Sequence, residues 1–474
     1  MEHLSSPIPT HVLPSPTALS AARSAIHTTL SRTGLGPTAT TQHISTDLTP
    51  GFHASGSSSR YFSAVTGGAT PAAVAADHIA STHDQSAALY APGESIAADI
   101  DHHALQMLAE LLGLRPEEWG HKVFTTGATA ANVVGLACGR EAVVAEAGRR
   151  VGKEVSVAKM GLVRACIAAG KEGVQVLTSF PHCSLVKACS IVGLGHESVV
   201  HVGREEAPWR LDLEALEGYL KDEKVVSIIG VSCSEVQAGL FATSGEEMKA
   251  LRALADKYGA WIHVDAAFGM LARILPDTKE FAALRAGVEG IELANSIGGD
   301  GHKLLNVPYD SGFLFSRSGP LATQVFHNPG APYLTASSAA IPSPLSLGIE
   351  NSRRLRALPV YANLVAYGRA GYVDMLQRQV RFARAVAAWM ESQGGFEVLG
   401  TKGEGEVYMV VLFRAKDEKI NAELKQRINT PRKIACSGTV WDGKPAMRLA
   451  VSNWKIDLER DLPVVKEVLA AALQ

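Results

Sequence analysis

The chain has 474 residues, of which 46% are hydrophobic and 19% charged, and a formal net charge of −2, the balance of a globular protein with one large domain and a smaller companion. Near-neutral charge and the lack of a long basic run argue against nucleic acid or an anionic membrane as partner. The six cysteines (138, 166, 183, 189, 233 and 436) show no Cys-x-x-Cys spacing, no His cluster has zinc-ligand intervals, and no stretch has the make-up of a signal peptide or a membrane span, so the expectation is a cytoplasmic protein without disulfide framework or metal.

Residues 1–14 are rich in Pro and Ser, and Ser15-Pro16 then starts a helix. Leu19, Ala22, Ile26 and Leu30 predict one apolar stripe running to Gly34. Residues 51–68 combine Gly, Ser and aromatic groups, a composition suited to lining a pocket. Helical periodicity follows over 72–81 and 96–112. A strand over 122–126 runs into Gly127-Ala128-Thr129 and a helix. Such a turn is either a plain Thr cap or a phosphate site, where backbone N–H groups and the helix dipole meet an anion. A strand over 174–179 leads to His182, and strands over 198–202 and 225–231 follow, the second ending at Ser232. A helix over 246–258 connects to an apolar strand that delivers Asp265 to its C-terminal end. Strands alternating with helices from 120 to 320 predict βαβ units and a mostly parallel sheet.

Ser296-Ile297-Gly298-Gly299-Asp300-Gly301-His302-Lys303-Leu304-Leu305 sets a lysine at the rim of a buried element. Lys303 is either a snorkelling side chain or an amine whose burial favours the neutral form that attacks carbonyls. A buried Asp265 would be compensated by a protonated ring nitrogen, and pyridoxal phosphate requires both an imine lysine and such an acid partner. Residues 328–346 form a Pro/Ala/Ser-rich segment without period, a mobile-loop candidate holding Tyr333. Helices over 353–367 and 371–393, strands over 406–413 and 446–451 and a helix over 461–473 complete the chain. The predicted division is an N-terminal segment 1–60, a large domain 61–356 and a small C-terminal α/β domain 357–474.

With His263-Val264-Asp265-Ala266-Ala267, with His302-Lys303 followed by Asn306-Val307-Pro308-Tyr309-Asp310-Ser311-Gly312, and with Ser352-Arg353-Arg354-Leu355-Arg356-Ala357-Leu358, the sequence resembles the group II pyridoxal-phosphate-dependent amino acid decarboxylases from about Arg60 to Asn453. The resemblance implies an α/β fold of the aspartate aminotransferase type (fold type I), pyridoxal 5'-phosphate as cofactor, an amino acid substrate and a homodimer. By the same resemblance, Lys303 carries the cofactor, Asp265 faces its ring nitrogen, His182 stacks on the ring, Gly127, Ala128 and Thr129 hold the phosphate with His302 nearby, Ser232 donates a hydrogen bond near the ring, and Ala267 and Phe62 line the cofactor and substrate pockets. Many members have Gly or Ser where this chain has Ala128. The implied reaction is decarboxylation of an L-amino acid, aromatic by preference. Decarboxylation of an acidic amino acid, aldehyde synthesis or transamination on the same fold, and non-catalytic cofactor binding are the alternatives. The aromatic decarboxylases place a reprotonating tyrosine before the Arg-Arg helix. Counting back from Arg353-Arg354 reaches Ser343-Pro344 here, with Tyr333 some ten residues earlier, so the resemblance leaves open whether Tyr333 donates that proton or an aldehyde forms.

Overall fold

A computed structural model of the chain describes residues 8–329, 341–401 and 403–474. It divides into two compact units: the residues up to Gly68 together with Arg378–Gln474, and Ala69–Gln377. Among the described residues, twelve strands form two sheets. They are β1 (Tyr61–Phe62), β2 (His121–Thr125), β3 (Gly173–Thr178), β4 (Val199–His201), β5 (Val225–Ser232), β6 (Trp261–Asp265), β7 (Ser296–Asp300), β8 (Gly312–Ser316), β9 (Phe396–Leu399), β10 (Val410–Ala415), β11 (Ala435–Trp441) and β12 (Lys444–Ala450).

The large unit carries a seven-stranded sheet in the order β2-β8-β7-β6-β5-β3-β4. Strands β4, β3, β5, β6 and β7 are mutually parallel, and β8 runs antiparallel to both β7 and β2. This is the expected α/β architecture. Parallel strands feed their C-terminal ends to one edge; β5, β6 and β7 end there at Ser232, Asp265 and Asp300. All five residues of β6, β7 and β8 are buried, so neither β7, with its two glycines, nor β8 carries an alternation from which it could be read.

The helix Ala128–Arg150 packs across this sheet. It can approach because two of its glycines face large rings: a Cβ on Gly135 would lie 2.5 Å from His263 Cε1, and one on Gly139 would lie 2.9 Å from Trp261 Cδ1. Gly135→Ala is therefore expected to cost about 1–3 kcal/mol of stability through overpacking. A urea midpoint equal to wild type would contradict that.

The small unit has a five-stranded sheet, β1-β11-β12-β10-β9, over a core that includes Phe62, Phe382, Met390, Phe396 and Phe413. Here the predicted division needs correction. The N-terminal segment is not a separate piece: the residues up to Gly68, which include β1 from the start of the predicted large domain, group with Arg378–Gln474, and β1 pairs in parallel with β11. The first helix also ends early, at Pro16–Ala25. Ile26 is extended (φ −66°, ψ 121°) and is followed by His27-Thr28-Thr29, weak helix formers, the two threonines because β-branching restricts χ1. The predicted break between two helices over 353–393 does occur, as a non-helical Gly368 inside Ala357–Gln393. Arg353 and Arg354 precede that helix in extended chain.

Candidate active site

Two buried carboxylates organise the edge where β6 and β7 end. Asp300 closes β7, and Lys303 sits one turn later on the short helix Gly301–Leu304. Lys303 Nζ lies 2.7 Å from Asp300 Oδ2. Asp300 Oδ1 accepts from the Ala128 N–H at 2.5 Å and lies 3.4 Å from His302 Nε2. The His302 Nδ1 accepts from the Ser311 N–H, its ring packs on Tyr309, and burial lowers its pKa, with Lys303 adding to the effect. The Phe268 ring stands 5.4 Å from Lys303 Nζ. Gly127 leaves room for this cluster, since a Cβ there would be 3.1 Å from Asp300 Oδ1. Of the first-turn N–H groups, Ala128 is engaged by Asp300; those of Thr129 and Ala130 have no intrahelical acceptor by helix geometry.

Asp265 closes β6, paired in register with Ser232 of β5 and Gly298 of β7. Its Oδ2 accepts from Asn132 Nδ2 at 2.9 Å and its Oδ1 from the Ala267 N–H at 3.3 Å. His182 is exposed at the N-terminus of the helix Cys183–Ile191. Its Nδ1 meets both the Ser184 N–H (3.2 Å) and Ser184 Oγ (2.7 Å). An Nδ1 that accepts leaves the proton of the neutral ring on Nε2.

The structure thus links Lys303, His302, Ala128 and Gly127 through Asp300, and Asp265, Ala267 and His182 through Asn132 and Ser184. Thr129 is exposed on the first turn of the same helix. Ser232 is buried and its hydroxyl donates to the Phe180 carbonyl at 3.1 Å, which commits its one hydrogen away from a cofactor. Phe62 is a correction to the predicted substrate pocket: its side chain is fully buried in the core of the small unit, stacked on Phe382, and leaves no face for a substrate. Tyr333 lies outside the described residues.

Asp300 and Asn132 were not singled out by the sequence. Asp300 reads as a turn residue beside Gly, and only the fold turns its carboxylate onto the helix end. The Arg-Arg stretch proves to be an anchor: Arg353 pairs with Asp101 at 2.7 Å and donates to the Phe124 carbonyl at 2.9 Å, fixing the end of β2 just before Gly127.

Two buried histidines set a pH dependence. Burial lowers the pKa of His121 on β2 and of His263 on β6 to about 4 each. A folded pKa below the unfolded value near 6.5 means that the unfolded chain binds more protons between those values. Stability is full above about pH 6.5 and is lost as pH falls toward 4, by about 2 kcal/mol per histidine between pH 7 and 5. Urea midpoints should drop over that range, and His121→Gln should flatten the drop.

An amine, a carboxylate at a neighbouring strand end, a helix N-terminus and an exposed imidazole are the donor set pyridoxal phosphate requires. A family model, the pyridoxal-dependent decarboxylase conserved domain, matches residues 38–416. The chain belongs to the pyridoxal-dependent decarboxylase family. Curated members include the L-2,4-diaminobutyrate decarboxylase of Acinetobacter baumannii, 29% identical over 316 residues that make up 65% of this chain and 58% of that protein. The aromatic-L-amino-acid decarboxylase of Bacillus atrophaeus is 24% identical over 79% of this chain and 73% of its own length, and a phenylacetaldehyde synthase of Petunia hybrida is 25% identical over 60% and 58%. The chain spans only 50–58% of the first two curated relatives, a diaminobutyrate and an aspartate decarboxylase. In fold it matches Oryza sativa TDC solved with PLP and tryptamine, with a TM-score of 0.80, 22% identity and coverage of 98% and 94% of the two chains.

Proposed function

We propose that the chain is a pyridoxal-phosphate-dependent carboxy-lyase that converts an L-amino acid, aromatic by preference, to its amine and carbon dioxide. The observation that carries this is the pairing of β6 and β7, which brings Asp265 and Lys303 to one edge of one sheet. The bound cofactor would supply an electron sink for the bond broken at the substrate's Cα. Lys303 offers the amine that holds it, Asp265 the charge that keeps its ring nitrogen protonated, and the helix at Thr129 the amides for its phosphate. His182 lies exposed at the start of the helix Cys183–Ile191, its Nε2 3.8 Å from Cys183 Sγ, and its imidazolium form would be the acid that returns a proton to Cα.

Phe268 beside Lys303 adds an apolar wall, which with the Bacillus relative favours an aromatic substrate. A homodimer is supported by the segment 26–52. There Ile26, Leu30, Leu35, Ile44 and Phe52 are exposed, and the helix Pro37–His43 buries none of its residues, an apolar surface that a second copy would cover. Among the described residues no helix is long and apolar enough to cross a membrane, and all six cysteines are free thiols, which supports a reducing, cytoplasmic setting.

Aldehyde formation is the second reading. Ser343 and Pro344 stand where the family resemblance places the tyrosine, with the Ser343 hydroxyl oxygen taken up by the Tyr90 N–H, and a phenylacetaldehyde synthase is among the relatives. Purified protein loaded with pyridoxal phosphate and offered the twenty amino acids and dopa, with carbon dioxide, amine, aldehyde, ammonia and peroxide measured, tests both. Amine equal to carbon dioxide without peroxide removes the second reading; no carbon dioxide from any substrate removes the first.

A further inference from the structure

A continuous buried chain of polar groups stands behind the site. Trp261 Nε1 lies 2.9 Å from Ser296 Oγ, which lies 2.8 Å from His263 Nδ1. His263 Nε2 lies 2.9 Å from Asn132 Oδ1, and Asn132 Nδ2 lies 2.9 Å from Asp265 Oδ2 and 3.3 Å from Ser184 Oγ, which in turn meets His182 Nδ1. Trp261, Ser296, His263, Asn132, Ser184 and Asp265 are all buried. We propose that Asn132 is the positioning residue for both cofactor-facing side chains, Asp265 and His182, and that His263, Ser296 and Trp261 exist in this arrangement to fix which way its amide points.

The direction of the chain follows from its ends. An indole N–H can only donate and a carboxylate can only accept. Ser296 therefore accepts from Trp261 and spends its hydrogen on His263 Nδ1. A neutral imidazole that accepts at Nδ1 donates at Nε2, and burial keeps His263 neutral at pH 7. Asn132 then must turn its oxygen to His263 and its amino group to Asp265 and Ser184. Both amide hydrogens are used, one on each cofactor-facing branch. A flipped Asn132 would set oxygen against carboxylate and N–H against N–H, and four buried groups would lose partners at once. Gly135 makes the arrangement possible, since any Cβ there would displace the His263 ring.

The inference rests on the cofactor reading above, and its test separates the two. Wild type and variants would be compared for pyridoxal phosphate affinity and for the visible circular dichroism of the bound cofactor, which reports its orientation and not turnover. Asn132→Leu and His263→Phe should each weaken binding roughly 10- to 100-fold, the worth of a hydrogen bond to a charged group, and change the dichroic band. His263→Gln, whose amide can donate to Asn132 Oδ1 from the place of Nε2, should return affinity to within about threefold of wild type. Should His263→Phe not fold, Ser296→Ala removes the donor to Nδ1 with little change of shape and should change the band in the same direction. Nitrogen NMR of ring-labelled histidine reads His263 directly, cofactor present or not, with a proton expected on Nε2 and none on Nδ1. The reverse tautomer, or a His263→Phe protein that binds the cofactor with wild-type affinity and dichroism, overturns this proposal alone. A wild-type protein that binds no pyridoxal phosphate overturns the cofactor reading with it.

Discussion

Lys303→Ala is expected to abolish the adduct that borohydride traps between the protein and pyridoxal phosphate, and to lower turnover by on the order of 10⁴-fold or more, as loss of a covalent catalytic group does. The substitution also removes the cation 2.7 Å from Asp300, and an uncompensated buried carboxylate costs stability on its own account. Lys303→Arg separates the two effects. A guanidinium restores a positive charge beside Asp300 but remains protonated and forms no imine. Lys303→Arg should therefore unfold close to wild type while yielding no reducible adduct. A trapped peptide carrying any other lysine, in either variant, would remove Lys303 from the centre of the site.

What the sequence made legible and what it did not divides along physical lines. Asp265 and Lys303 were readable because each breaks an apolar run, and a charge inside such a run needs a partner. The strands β2, β3, β5 and β6 and the break at Gly368 were readable from local pattern and glycine. Asp300 was not, since nothing local distinguishes a carboxylate that closes a turn from one that reaches the Ala128 N–H, 172 residues away in sequence. Asn132 lies mid-turn in a helix of small residues, and its importance comes from Asp265 and His263, two strand residues that only the fold sets against it. Phe62 failed for the opposite reason. An aromatic residue in a Gly/Ser-rich stretch has the composition of a pocket wall, but pairing of β1 with β11 carries it into a core. Burial on a two-residue strand leaves no periodic trace.

Asp265→Asn tests the electrostatic half of the mechanism. Shape is preserved, and the introduced amide can still accept from Asn132 Nδ2 through its oxygen, so the buried chain behind it keeps its direction. Its amino group then takes the Oδ1 place, giving up the bond from the Ala267 N–H, and would offer a cofactor's ring nitrogen hydrogens in place of lone pairs. A donor there opposes protonation of that nitrogen, where the carboxylate favours it, and the electron sink loses the charge that makes it effective. A charge-assisted interaction of this kind is worth on the order of 2–4 kcal/mol in the transition state, roughly 30- to 1,000-fold in rate. Cofactor binding should fall far less, because Lys303 and the helix amides are untouched. Single-turnover rates of carbon dioxide release, measured on fully loaded enzyme, give the comparison. A rate within about threefold of wild type, well below that range, would show that Asp265 is not the ring-nitrogen partner and that its buried carboxylate serves the hydrogen-bond chain alone.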